Sequence, residues 1–186
     1  MKKIILILAT LVASLSLVGC KCGHDVEPAL PEFNSLLKSD LEMVKINNPG
    51  LTVKLMEVET ELSDTLSKVG PDAVHVMKAI EVFLVQNPDG DKVVFIDRDY
   101  ENDTFDMSEK AGFWVGDSAL DVEKTGNIDK AIEALYKSGK NLPETIFMTL
   151  RIPLDGVARE YPIYIFGSQN TFFLGVDAGT YEVYDI

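Results

Sequence analysis

Cysteine, histidine and tryptophan are scarce in this chain of 186 residues, which holds two, two and one of them. The two cysteines, Cys20 and Cys22, are one residue apart. That spacing strains a disulfide, so no disulfide framework holds the fold. His24 and His75 are the only histidines, and no zinc spacing, P-loop or Gly-rich dinucleotide turn occurs. Basic charge is also short, with 17 Lys and Arg against 30 Asp and Glu and a formal net charge of −13. A nucleic-acid binder needs a basic face to displace phosphate counterions, so that class is excluded. Apolar residues make up 46% of the chain, too many for disorder. The length suits one medium domain or two small ones.

The N-terminus carries the sharpest motif. Lys2 and Lys3 precede a run from Ile4 to Val18 whose only hydroxyls are Thr10, Ser14 and Ser16. A bilayer span needs about 20 apolar residues, so the run is short for a membrane helix and right for a signal peptide. It ends in Leu17-Val18-Gly19-Cys20, which looks like a bacterial lipobox, with the Cys20 thiol as the lipidation site. Residues 1–19 are thus expected to be a lipoprotein signal peptide. Removing them takes away two lysines and no acids, and moves the charge from −13 to −15. A body so acidic is repelled by anionic lipid and is held at the membrane by acyl chains alone. Lys21, where aspartate would retain the protein at the inner membrane, points to the outer membrane of the cell envelope, facing the periplasm or the surface. Residues 20–31 hold the lipidated cysteine and a tether with Gly23, Pro28 and Pro31. Cys22 and His24 lie in it without the stiff frame a metal site requires.

Beyond the tether, one order of elements is predicted twice. Phe33, Leu36, Leu37, Leu41, Val44 and their neighbours recur at helical spacing over Glu32–Asn47. Asn48-Pro49-Gly50 stops that helix. Leu51–Glu61 and Val74–Val85 read as strands, and Asn87-Pro88-Asp89-Gly90 turns the second into Val93–Asp97. In the second half Asn127 caps a helix through Tyr136 that ends near Gly139. The strands Thr145–Leu154, Tyr161–Phe166, Phe172–Asp177 and Tyr181–Ile186 follow. The fold class expected is α+β, with two tandem units, each a helix packed on an antiparallel β-sheet, over residues 32–104 and 127–186. Residues 105–126 read as a connection.

Tyr161-Pro162-Ile163-Tyr164-Ile165-Phe166 followed by Val176-Asp177-Ala178-Gly179-Thr180-Tyr181-Glu182-Val183-Tyr184 resembles the PepSY family. That family ends in a strand, an aspartate, a Thr-Gly turn and a short final strand; here glycine and threonine are transposed. Two such units in a lipoprotein are similar to PepSY-like proteins with a β-lactamase-inhibitor-protein-like tandem fold. The resemblance implies peptidase inhibition or protein binding, with no catalytic residues to carry over.

The remaining chemistry is thin. Gly116-Asp117-Ser118 resembles the nucleophile block of GDSL esterases, but that chemistry needs a histidine downstream and both histidines lie upstream. Asp97, Asp99, Glu101 and Asp103 alternate as calcium ligands might. Aligned on Asp97, the EF-hand glycine position holds Asn102 and the bidentate glutamate position holds Ser108. They are weak metal candidates, and a solvated acidic strand end is the simpler account. His75 has no neighbouring ligand type. Tyr161, Tyr164, Phe172, Tyr181 and Tyr184 fall on adjacent strands, where they pack across strands or face a partner. The function expected is that of a non-enzymatic envelope lipoprotein without cofactor. It would bind the membrane through its anchor and bind a protein, such as an envelope or secreted enzyme. The alternative is a small-ligand or cation-binding lipoprotein.

Overall fold

The computed structural model describes residues 32–115, 117–168 and 172–186. Cys20, Cys22, His24, the signal peptide and the tether lie outside the described residues.

Helix α1, Phe33–Asn47, buries Phe33, Leu37, Asp40 and Val44, a stripe at steps of four, three and four. At its end the Asn48 side chain donates to the Val44 carbonyl at 2.8 Å, which satisfies one of the carbonyls left free there. The chain then forms β1 (Thr52–Leu62), β2 (Val76–Gln86), β3 (Lys92–Asp99) and β4 (Thr104–Ala111) as an antiparallel meander. A short strand β5 (Asp117–Ser118) precedes helix α2, Ile128–Lys137. The Asn127 side chain accepts from the Lys130 amide at 3.0 Å and caps α2. Strands β6 (Phe147–Pro153), β7 (Ile163–Phe166), β8 (Leu174–Asp177) and β9 (Val183–Asp185) complete a second meander.

The expectation of two tandem helix-on-sheet units is overturned here. Among the described residues there is one nine-stranded sheet in the order β4-β3-β2-β1-β6-β7-β8-β9, with β5 alongside β6. The first strand of each meander is its inner one, and β1 and β6 pair antiparallel from Glu57↔Arg151 to Glu61↔Phe147. Neither meander therefore has an inner edge of its own. One apolar core runs under both helices, from Phe33 and Leu37 through Val58 and Leu150 to Tyr164 and Val176.

The connection expected over residues 105–126 is corrected too. It contains most of β4, which pairs with β3 without a register break, and all of β5. All eight residues of β4 are exposed, so no apolar alternation marks it. Beyond β4 the chain crosses the sheet as a strap and enters the fork where β1 and β6 separate. There Asp117 and Ser118 pair with Pro153 and Ile152, and the Leu120 amide donates to the Leu55 carbonyl at 2.7 Å. Gly126 follows at φ 67°, with the Ala178 carbonyl 2.1 Å from where a Cβ would stand. Only glycine fits that turn into α2.

Candidate functional site

Strand alternation sorts the sheet into two faces. One carries Ala79, Glu81, Phe83 and Val85 of β2 under the helices. The other carries Lys78, Ile80, Val82 and Leu84 and has no helix on it. Cross-strand register sets one row on this open face: Asp106, Asp97, Ile80, Glu59, Thr149, Ile165, Gly175 and Tyr184. The next row is Thr104, Asp99, Lys78, Glu61 and Phe147.

These rows enclose a shallow depression of about 220 Å³ lined by Glu59, Glu61, Lys78, Ile80, Asp97 and Phe147. Ile80 is 40% exposed and Phe147 52% exposed, so two large apolar side chains meet water among carboxylates. Glu59, Glu61, Asp97, Asp99 and Asp106 oppose Lys78 alone on this part of the face. The arrangement offers apolar contact ringed by negative charge. That suits a basic protein surface, since complementary potentials set encounter rate and orientation.

The other end of the open face is roofed by the strap. Trp114 meets Phe95 edge-on, with ring centroids 6.4 Å apart, and its indole donates to Asp117 at 3.1 Å. Val82, Leu84 and Val93 are buried there. Phe113 and Val115, on either side of Trp114, are 72% and 70% exposed. The strap is pinned by a buried cluster. Glu57 of β1 faces Arg151 of β6 across the strands, and Arg151 Nε lies 2.9 Å from Asp117. Burial pushes the Glu57 carboxyl up to about 8, helped by a hydrogen bond to Asp117 and the charge of Asp117, against the pull of Arg151. Glu57 therefore keeps its proton at neutral pH beside Asp117.

A second acid–arginine cluster lies on the helix side. Arg98 of β3 makes a two-pronged pair with Asp40 of α1, with Nε donating to Oδ2 at 2.8 Å. Glu81 of β2 is buried beside them. Desolvation raises its carboxyl well above the usual range, and the neighbouring charge of Asp40 and a hydrogen bond to Asp40 raise it further. One arginine cannot neutralise two buried carboxylates, so burial beside Asp40 keeps the proton on Glu81. No motif revealed either cluster. A signal did exist for the second one: Asp40 interrupts the apolar stripe of α1, and Glu81 sits in the buried alternation of β2.

The aromatic residues expected at a partner surface are dispersed. Tyr164 is fully buried on the helix side, with its hydroxyl donating to the Thr125 carbonyl, so it presents no surface. The Tyr181 hydroxyl accepts from the Asn127 amide at 3.0 Å and ties the last turn to the α2 cap. Tyr161 stacks under Lys124, 5.6 Å from the ring centroid. Tyr184 is half-buried on the open row and Phe172 is 49% exposed. The large apolar side chains exposed in the depression are instead Ile80 and Phe147, whose stretches the sequence marks only as strands.

The acidic segment forms the β3–β4 hairpin end. Asp99 accepts from the Asn102 amide and side chain at 3.0 and 2.9 Å, and Asp103 lies 3.6 Å from Arg98. Asp97 faces the open depression, and Glu101 is exposed in the turn. No group of three or more potential ligands able to hold a metal ion occurs among the described residues. Ser118 lies in the β1–β6 fork, whereas the His75 carbonyl accepts from the Ser63 amide beyond the other end of β1. Eight residues of extended strand separate Leu55 from Ser63, about 27 Å. No hydrolytic pair forms between Ser118 and His75. Searches of protein-family models, of curated proteins and of solved structures found no match.

Proposed function

We propose that this chain is a non-enzymatic envelope lipoprotein, anchored through Cys20 at the outer membrane, that binds a basic protein through the open face of its sheet. The supporting observation is the depression in which Ile80 and Phe147 stand exposed among Glu59, Glu61 and Asp97. A peptidase is one class of such partner, the class that the PepSY resemblance of residues 161–184 implies. Apolar contact would supply most of the affinity and the carboxylates would orient the partner.

Tagged protein incubated with an envelope fraction tests this. The wild type should retain a protein in stoichiometric amount. Ile80→Asp with Phe147→Asp should lose it while keeping the fold by circular dichroism. Raising the salt to about 0.5 M should weaken retention, because it shortens the Debye length to a few ångströms. Equal retention by wild type and variant would overturn the assignment.

A further inference from the structure

Strand β4 is the outermost strand of one sheet edge, and all eight of its residues are exposed. Native sheets blunt such edges with prolines, bulges, charged side chains or very short strands. The opposite edge follows that rule, since β9 has only three residues. Strand β4 does so only through its charged side chains. Thr104–Ala111 contains no proline or glycine and keeps an unbroken register with β3. It also presents Phe105 and Met107, 44% and 46% exposed, on the helix side, where α1 packs over β1 and β2 instead.

The side chains of β4 favour one partner strand, its own copy. When two copies meet antiparallel about a two-fold axis normal to the sheet, each side chain opposes one on the same face. Centring the axis on Ser108 sets Asp106 opposite Lys110 of the second copy, twice. It also sets Phe105 opposite Ala111 and Met107 opposite Glu109, and brings the two Met107 side chains to diagonal contact. Centring on Met107 leaves Asp106 facing serine and Phe105 facing glutamate. Centring on Glu109 sets that carboxylate against its own copy. Among the described residues neither Asp106 nor Lys110 is in an ion pair; Lys110 lies over the Phe95 ring, 5.3 Å from its centroid.

We propose that β4 is a self-association edge, at which two copies of this chain pair antiparallel about Ser108 to form one continuous sheet. Both sets of helices then lie on one side and both open faces on the other. The pair would be bivalent toward any partner of the open face, but its formation does not depend on that reading. One strand pair buries less than the roughly 1,200 Å² typical of stable interfaces. Association in solution is therefore weak, and fixing two copies in one membrane would raise their effective concentration.

The test uses the full chain with Cys20 and Cys22 replaced by serine, in sedimentation equilibrium up to about 200 μM at low salt. The wild-type edge should give a concentration-dependent dimer. Asp106→Lys should weaken it at least tenfold, Lys110→Asp likewise, and the two together should restore it. Ser108→Cys should form a disulfide dimer on mild oxidation. Thr104→Cys should not, because the two copies of residue 104 are about 27 Å apart along the paired strands. A chain monomeric throughout, a double reversal that fails to restore the dimer, or equal cross-linking at 104 and 108 would each overturn the proposal.

Discussion

The two faces of the sheet solve the same electrostatic problem differently. Each holds two carboxylates and one arginine: Asp40, Glu81 and Arg98 beneath α1, and Glu57, Asp117 and Arg151 at the fork under the strap. On the helix face the arginine side chain is only 6% exposed, and the cluster is sealed in the core. On the open face the Arg151 side chain is 33% exposed, and the cluster fastens a segment that crosses the surface. The sealed cluster fixes how α1 sits on β2 and β3. The marginal one holds down a roof over half of a face whose other half is bare. A charge group therefore fixes a helix on the sheet in one case and fastens a surface segment in the other.

The largest effect should come from breaking the sealed cluster. Arg98→Met leaves Asp40 and Glu81 buried without a cation, and unpaired buried charge typically costs about 3–5 kcal/mol. Chemical denaturation at pH 7 should show a loss of about 3 kcal/mol. Arg151→Met, with one-third of the side chain in water but Asp117 buried beside it, should cost less, about 2 kcal/mol. Equal losses would remove the distinction between the faces.

The marginal cluster should be visible in pH dependence. The Glu57 carboxyl is raised in the folded chain to about 8, above its ordinary value near 4.5. Between those values the folded state holds a proton that the unfolded state has released, so stability falls as pH rises. Glu57→Gln keeps a donor toward Asp117 and removes the titration. It should therefore gain on the order of 1 kcal/mol at pH 8 and nothing at pH 4. Trp114 is the only tryptophan and donates to Asp117, so its fluorescence should titrate with a midpoint near pH 8 in the wild type and stay flat in Glu57→Gln. A flat wild-type profile would show that the proton does not hold the strap.

The smallest effect on stability should come from the bare half of the open face. Ile80→Ser with Phe147→Ser should change the unfolding free energy by less than about 1 kcal/mol, since both side chains already meet water. Any larger loss, measured by urea denaturation, would make them structural.

The elements that bury an apolar stripe were readable in the sequence, and those that do not were hidden. The steps of α1 and the Asn127 cap of α2 announce their helices, and Asn87-Pro88-Asp89-Gly90 announces the β2–β3 turn. Strand β4 stayed hidden because Thr-Phe-Asp-Met-Ser-Glu-Lys-Ala has no buried side to impose a period. The continuity of the sheet was equally hidden. It rests on the β1–β6 ladder, whose partners such as Thr60 and Met148 are far apart in the chain and carry no local mark. Tyr164 and Tyr181 use their hydroxyls to tie the core and the α2 cap together, a role no local pattern marks. Ile80 and Phe147 read as ordinary strand residues, because which face stays uncovered is decided by where the helices and the strap lie.

The most direct measurement places a photo-reactive side chain at position 80 on the open face or at position 46 on α1, where Ile46 is 76% exposed. Both full-length proteins are then irradiated in the envelope fraction. The open-face assignment predicts one discrete protein adduct from position 80 and none from position 46. Adducts of equal yield from both positions, or from position 46 alone, would contradict it.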